Sequence, residues 1–414
     1  MTNNYKRLKL ACYATSVSTS VVTNLSPLLF LIFHSQYNIS FSLLGLLVLI
    51  NFCTQLAVDL LFSFFTDKFN IEKSIKLSPV LATVGFLVYA LLPMAFPSMA
   101  YFGIVVGTII FSSAGGLVEV LLSPVIAAIP AKDPDREMSK LHSVYAWGVV
   151  GIAIVGTLFL HFLGSKNWCW LVVVFALIPF TASILFQTVD VPTMKRAEKG
   201  SGTANLMKNK GVWLCVIAIF FGGASELIMG QWCSGYIESA LKIPKALGDI
   251  FGVALFSLTL GFGRTLYSKI GKNIFNALIW GATFAFVCYV VAAITSLPIL
   301  GLIVCAVTGF CVSMLWPGSL IVATSKFPSG GVVVFALMAS GGDLGAAVGP
   351  QLVGIVTDIA ISNPTLLSLA ERLALSPEQL GMKMGMLVGA LFALCAVIMF
   401  ILLKKTIRKT KKVS

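Results

Sequence analysis

Residues 98–129 read SMAYFGIVVGTIIFSSAGGLVEVLLSPVIAAI. Of these residues only Glu119 is charged. About 20 apolar residues in a helix cross the ~30 Å hydrocarbon layer of a bilayer, so this run is long enough to span and to tilt. Its carboxylate then sits where an ionised acid costs about 3 kcal/mol or more unless it is paired, hydrated or protonated. A membrane-spanning helix with an acid in its middle is therefore the first expectation.

The rest of the chain repeats the pattern. It is 58% hydrophobic and 11% charged, with a mean hydropathy of +0.96; soluble domains carry about 25% charge. Twelve segments qualify as spans: 9–34, 42–65, 74–95, 98–129, 140–163, 168–188, 211–238, 246–270, 274–294, 297–324, 331–360 and 380–404. The fold class is an all-α integral membrane protein of twelve transmembrane helices. Of the 29 Lys and Arg, 24 fall in alternate loops and the two termini, including Lys6, Arg7, Lys9, Arg264, Lys404 and Lys405. Lys166, Lys242, Lys245, Arg372 and Lys383 fall in the other loops. Positive charge marks the cytoplasmic side, so both termini are expected there. The net charge of +13 reads as anchors for anionic headgroups rather than as a nucleic-acid surface. Nine scattered Cys without a CxxC pair read as small apolar filler. No cofactor and no metal is expected. No loop is long enough to house an enzyme domain, and nothing resembles a selectivity ring.

The domains expected are an N-terminal six-helix half over 1–189, a cytoplasmic linker over 190–210 and a C-terminal six-helix half over 211–414. The linker composition is carried by Lys195, Arg196, Glu198, Lys199, Gly200, Ser201 and Gly202. The halves echo each other: Pro124 precedes Gly148 by 24 residues, and Pro317 precedes Gly341 by 24. Transporters are commonly built from such repeats, with the site between them near the midplane.

Four acids lie within apolar segments: Asp59, Glu119, Glu226 and Asp343. Counting helical rise, Glu119 and Asp343 lie about 18 Å from their cytoplasmic ends, Glu226 roughly 22 Å and Asp59 about 12 Å. No Lys or Arg occupies the centre of any span, so all four are expected to be unpaired and able to take up and release protons. Gly341, Gly342, Gly345 and Gly349 surround Asp343, which gives it a second reading as a bridge at a tight contact between the halves. Asp59 equally suits a gate network with Asp67. Asn51, Gln55, Asp59 and Ser63 recur every fourth residue, as do Ser16, Ser20 and Asn24. Such stripes face a wet cavity or bond to neighbouring helices. Candidate solute contacts are Asn24, Asn51, Gln55, His142, Tyr145, Gln231, Trp232 and Trp316, the aromatic rings stacking on a sugar and the amides bonding its hydroxyls. His142 also suits a gate, and the Trp residues also suit packing or interfacial anchoring.

With Asp67-Lys68-Phe69 after span 2, six plus six spans and cytoplasmic termini, the chain resembles the major facilitator superfamily. Within it the chain is similar to the fucose-permease-like sugar:proton symporters. The segments that carry this are Gly115-Gly116-Leu117-Val118-Glu119 with Ser123-Pro124, Leu141 to Gly148, Gly223-Ala224-Ser225-Glu226 with Gly230-Gln231-Trp232, and Gly341-Gly342-Asp343-Leu344-Gly345 leading to Gly349-Pro350 and Asp358. The resemblance implies that Glu119 matches a proton-coupling glutamate and that Asp67 and Lys68 gate. Where the fucose permease has a second essential Asp, this chain has Asn24. The expected function is secondary active transport of a small polar solute, a sugar first among the classes, across a bacterial plasma membrane by alternating access. Its partners are then the solute, a proton and the bilayer, and the functional unit a monomer. A proton-driven efflux antiporter and a sodium-coupled sugar symporter are the alternatives.

Overall fold

The computed structural model describes residues 3–65, 69–130, 134–192, 209–271, 273–327 and 331–411. The gate candidates Asp67 and Lys68 lie outside the described residues, as does the side chain of His142. Everything regular among the described residues is helical. The helices are α1 (Asn3–Tyr37), α2 (Phe41–Phe65), α3 (Ile71–Ala95), α4 (Ala100–Ala128), α5 (Pro134–Leu163), α6 (Trp168–Gln187), α7 (Lys210–Leu241), α8 (Leu255–Ile270), α9 (Ile274–Ile294), α10 (Pro298–Val312), α11 (Leu315–Lys326), α12 (Gly331–Ser362), α13 (Pro364–Arg372) and α14 (Pro377–Lys411). Eleven helical stretches among the described residues are long and apolar enough to cross a membrane, and Phe251–Tyr267 is a shorter apolar one. The chain is a multi-pass membrane protein.

Two expected spans are not simple helices. The segment over 246–270 is a single turn at Lys245–Gly248, a π-helical stretch at Asp249–Ala254, and then α8. The segment over 297–324 breaks between α10 and α11. Pro317 has no N–H, so it cannot bond the carbonyl four residues earlier, that of Ser313. The carbonyl left over at this break becomes an acceptor for another helix.

The helix ends follow from local chemistry. Asn70, Asn209, Asn273 and Asn363 accept backbone N–H groups in the first turns of α3, α7, α9 and α13, satisfying donors that have no partner within the helix. Ser376 and Gln379 form a reciprocal capping box at the start of α14, with bonds of 2.9 and 3.2 Å. Asp358 of α12 caps α2, accepting from Phe41 N–H at 3.0 Å and Ser42 N–H at 2.7 Å.

The helices form two compact units. The first comprises Met1–Ile39 and Ile50–Arg196, the second Ser40–Leu49 and Ala197–Ser414. In the first, α3 packs along α4 closely enough that a Cβ on Gly107 would come within 2.6 Å of the Tyr89 Cα. In the second, α12 lies on α7, and a Cβ on Gly345 would stand 2.0 Å from the Phe220 carbonyl oxygen. Only glycine permits such an approach. The glycines around Asp343 thus serve a helix contact within the second unit: Gly341 meets Val216, Gly345 meets Phe220 and Gly349 meets Ala224 and Ile228, all on α7.

Candidate functional site

In the first unit several residues of the polar stripes bond to neighbouring helices. Ser16 donates to the Leu141 carbonyl at 3.2 Å and Ser20 to that of Tyr145 at 2.8 Å, tying α1 to α5. Asn24 turns back to the Ser20 carbonyl at 2.9 Å. Asn51 is buried: its amide donates to the Val22 carbonyl, while its Oδ1 accepts from Gln55 Nε2 at 2.9 Å and Ser112 Oγ at 2.6 Å. This network joins α1, α2 and α4. Ser112, which sequence reading did not single out, lies seven residues before Glu119 and therefore on the same face of α4.

Where that face meets α2, Gly115 lies against Gln55 and Gly116 against Val58. The close approach brings Asp59 and Glu119 together, with carboxylate oxygens within 4.8 Å of each other. Glu119 is exposed, in a helical turn whose neighbours Gly115 to Val118 are buried. It points about 80° around α4 from the exposed apolar Ile109. Two carboxylates this close repel when both are ionised, which draws a proton or a cation to the pair.

A cavity of about 450 Å³ between α1, α5 and α6 is lined by Val17, Val144, Trp147, Ile152, Val155 and Phe175 among others. Its walls offer an apolar surface and no hydroxyl or amide for a polar solute. Trp147 is 68% exposed there, and Tyr145, two residues earlier and on the other side of α5, is half-buried.

Outside the apolar interior, Glu137 on the first turns of α5 bridges Lys9 of α1 at 2.9 Å and Lys140 at 3.3 Å, and accepts from the Tyr13 hydroxyl at 3.2 Å. The Lys9 bond, helped by those of Lys140 and Tyr13 and opposed by burial, holds the Glu137 carboxyl below its ordinary value.

The second unit corrects the reading of its acids. Glu226 is not unpaired: Arg264 Nη2 donates to its Oε1 at 2.9 Å. Arg264 counts as a loop charge in the sequence but lies within α8, nearly two turns from its end. Its Nε donates to the Ser313 carbonyl at 3.1 Å, the acceptor that Pro317 leaves over. The ion pair therefore spans α7, α8 and the α10–α11 break. Glu226 keeps one oxygen, Oε2, buried and without a hydrogen-bond partner among the described residues.

Trp316 lies half-buried over two glycines that accommodate its ring, Gly223 of α7 and Gly342 of α12. Asp343 follows Gly342 and is 4% exposed. Gln231 is buried. Trp232 is fully buried, and its indole N–H donates to the Pro350 carbonyl at 2.9 Å. Stacking of Trp232 on a solute is thus excluded in this conformation; the ring anchors α7 to α12.

Lys383 is likewise no loop residue. It is buried within α14, and its ammonium donates to the Thr295 carbonyl and, at 3.5 Å, to the Ser296 hydroxyl. A cation at the C-terminus of α9 is favourably placed against the helix dipole.

Comparison with known proteins bears on the fold and the family. The sequence profile of the Major Facilitator Superfamily matches residues 11–350. Among solved structures, a bacterial homolog of the human lysosomal transporter Spinster, inward-facing and occupied, superposes with a TM-score of 0.78 at 13% identity, over 98% of both chains. The nucleoside transporter NupG gives 0.70 at 13% identity, over 96% of this chain and 99% of the other. A D-xylose-proton symporter gives 0.71 at 16% identity, over 95% and 97%. No curated protein matches the chain in sequence.

Proposed function

Because the chain belongs to the major facilitator superfamily, and is a transporter rather than an enzyme, we propose that it moves a small polar solute across a bacterial plasma membrane by proton-coupled alternating access. It acts as a monomer of two six-helix halves, 1–189 and 211–414, joined by the segment 190–210. Both termini face the cytoplasm. A sugar is the first solute class, as in the fucose-permease-like branch that the sequence resembles, and the D-xylose-proton symporter among the structural relatives supports it.

The observation that carries the reading is the pair of acids on α2 and α4. Asp59 and Glu119 approach within 4.8 Å on helices that are otherwise apolar at that level. A proton arriving at Glu119 removes the repulsion between them; its departure restores it. Any conformation that separates the acids or hydrates them is favoured by the deprotonated state, and one that brings them together by the protonated state. A proton thus biases which face is open. Glu226 takes a second role, exchanging a proton against its bond to Arg264. Asp343 and the half-buried Trp316 ring line the same region of the second unit. Asn24, Tyr145 and His142 supply polar contacts from the first, and Asn51 and Gln55 hold α2 and α4 in register. Asp67 and Lys68 gate the cytoplasmic ends.

The acid pair also favours one other reading. Two carboxylate oxygens at this separation suit a sodium ion as well as a proton. Reconstitution in liposomes, with uptake of a sugar panel under an imposed proton or sodium gradient, separates the two. Uptake that responds to neither gradient contradicts both.

A further inference from the structure

Arg264 is held in an unusual way for a cation in an apolar helix. Its side chain is 43% exposed, while Glu226, its partner, is 13% exposed. That exposure is not toward the lipid-facing stripe of α8. Leu255, Leu258 and Phe262 form the exposed apolar stripe, and Arg264 points about 160° around the helix from Phe262. Gly261 and Ser257 lie on the Arg264 side, one and two turns back. A Cβ built on Gly261 meets nothing within 4 Å, so the helix surface one turn before Arg264 is open. One face of the Arg264 fork is therefore fixed, by Glu226 and the Ser313 carbonyl, and the side beyond them is open. Five N–H groups in a planar fork match a carboxylate or phosphate two bonds at a time.

We infer that Arg264 is the recognition point for an oxyanion, a carboxylate or a phosphate, on the transported solute, and that this group replaces Glu226 when Glu226 is protonated. The inference rests on the transport reading above and narrows its solute class to acidic solutes, such as a sugar acid or a sugar phosphate. The exchange balances. A proton from water adds to the Glu226 carboxylate, whose bond to Arg264 weakens. The solute oxyanion then pairs with Arg264. On the opposite face the solute leaves, Glu226 returns the proton to water, and the original pair re-forms. A monoanion moving with one proton carries no net charge.

The helices packed around this pair carry several titratable groups, among them Lys383 and Lys404 of α14. Among the described residues, α9 offers Tyr289, whose hydroxyl is committed to the Ser225 carbonyl at 2.7 Å. The α10 helix offers cysteines, of which Cys305 and Cys311 are buried. The α12 helix carries the buried Asp343, next in sequence to Gly342, which meets the Trp316 ring.

The test is ligand-induced thermal stabilisation of the detergent-purified full chain, at pH 5.5 and 7.5. The probes are D-glucuronate, D-gluconate, D-glucose 6-phosphate, inorganic phosphate and neutral D-glucose. At least one anion should stabilise the protein more than glucose does, and more at pH 5.5. The carboxylate and phosphate probes tell the two oxyanions apart. Arg264→Gln should abolish that stabilisation and Arg264→Lys should keep part of it. Glu226→Gln, which frees the guanidinium without a proton, should bind the anion several-fold more tightly and lose the pH dependence. Because this variant gains affinity, misfolding cannot mimic it. Equal stabilisation by glucose and the anions, or none by any anion, overturns the inference, as does a weaker anion affinity in Glu226→Gln. A separate liposome assay keeps the two readings apart. Gradient-driven uptake of a neutral sugar alone would leave the transport reading standing and sink this one. Anion binding without gradient-driven uptake would do the reverse.

Discussion

Removing Arg264 alone should harm the protein more than removing both members of its ion pair. Arg264→Gln leaves the Glu226 carboxylate, 13% exposed, without its cation; Glu226→Gln leaves a guanidinium that is 43% exposed and readily hydrated. Coulomb's law at 2.9 Å and an effective dielectric of 20 gives about 6 kcal/mol. The exposure of Arg264 screens much of this, and the desolvation of Glu226 opposes it, so the net coupling is about 2 kcal/mol. If the second unit melts as one cooperative block, this corresponds to roughly 5 °C. The assay is a double-mutant cycle read by thermal unfolding in detergent at pH 7.5, comparing wild type, both single variants and the double Gln variant. The double variant should lose less than the sum of the singles, by about that amount. Additive losses would show that the 2.9 Å contact contributes nothing, and would refute the assignment of Arg264 as the partner of Glu226.

Other consequences are as direct. Glu119→Gln should abolish proton-driven accumulation in proteoliposomes while solute exchange persists; unchanged accumulation would leave Glu119 with packing alone. Trp232→Phe should lower stability by about 1 kcal/mol through its lost bond to the Pro350 carbonyl without changing solute affinity, whereas Trp316→Ala should weaken binding; the two are compared by melting and by competition uptake. Glu137 gives a pH signature: its folded-state carboxyl lies below the ordinary 4.5, so its stabilising contribution is complete above that value and fades as pH falls through the lower folded one. Glu137→Gln should flatten the melting-temperature curve below pH 4.5, and an unaltered acid limb would contradict the bridge. Gly345→Val, with its Cβ driven onto the Phe220 carbonyl, should prevent accumulation of folded protein, as judged by size-exclusion chromatography.

How much of this was legible in the sequence differs by feature. The multi-pass helical character was, because a bilayer demands long apolar runs such as 98–129, but the breaks within 246–270 and 297–324 were not. The role of the glycines around Asp343 was half legible: their spacing announces close packing, but not that α7 is the helix they meet. The pairing of Arg264 with Glu226 was hidden. The residues are 38 positions apart on different helices, and an Arg six residues from a helix end looks like an interfacial anchor. The clue that existed was Pro317, which leaves the Ser313 carbonyl open four residues earlier. The fate of Trp232 was also hidden, since an apolar helix buried on all sides gives no periodicity to separate a ring that faces the core from one that faces a cavity. The polar stripe of Ser16, Ser20 and Asn24 was visible, but both readings of it predict the same spacing; only the acceptors at Leu141 and Tyr145 decide for interhelical bonding.

The most direct test of proton-coupled transport is accumulation in proteoliposomes holding the purified chain, with the exterior at pH 5.5 and the interior at pH 7.5, against neutral sugars, sugar acids and sugar phosphates. The account predicts that at least one of these solutes concentrates inside above its outside level and that a protonophore collapses it. Accumulation driven by sodium alone, or no solute responding to the pH gradient, would contradict it.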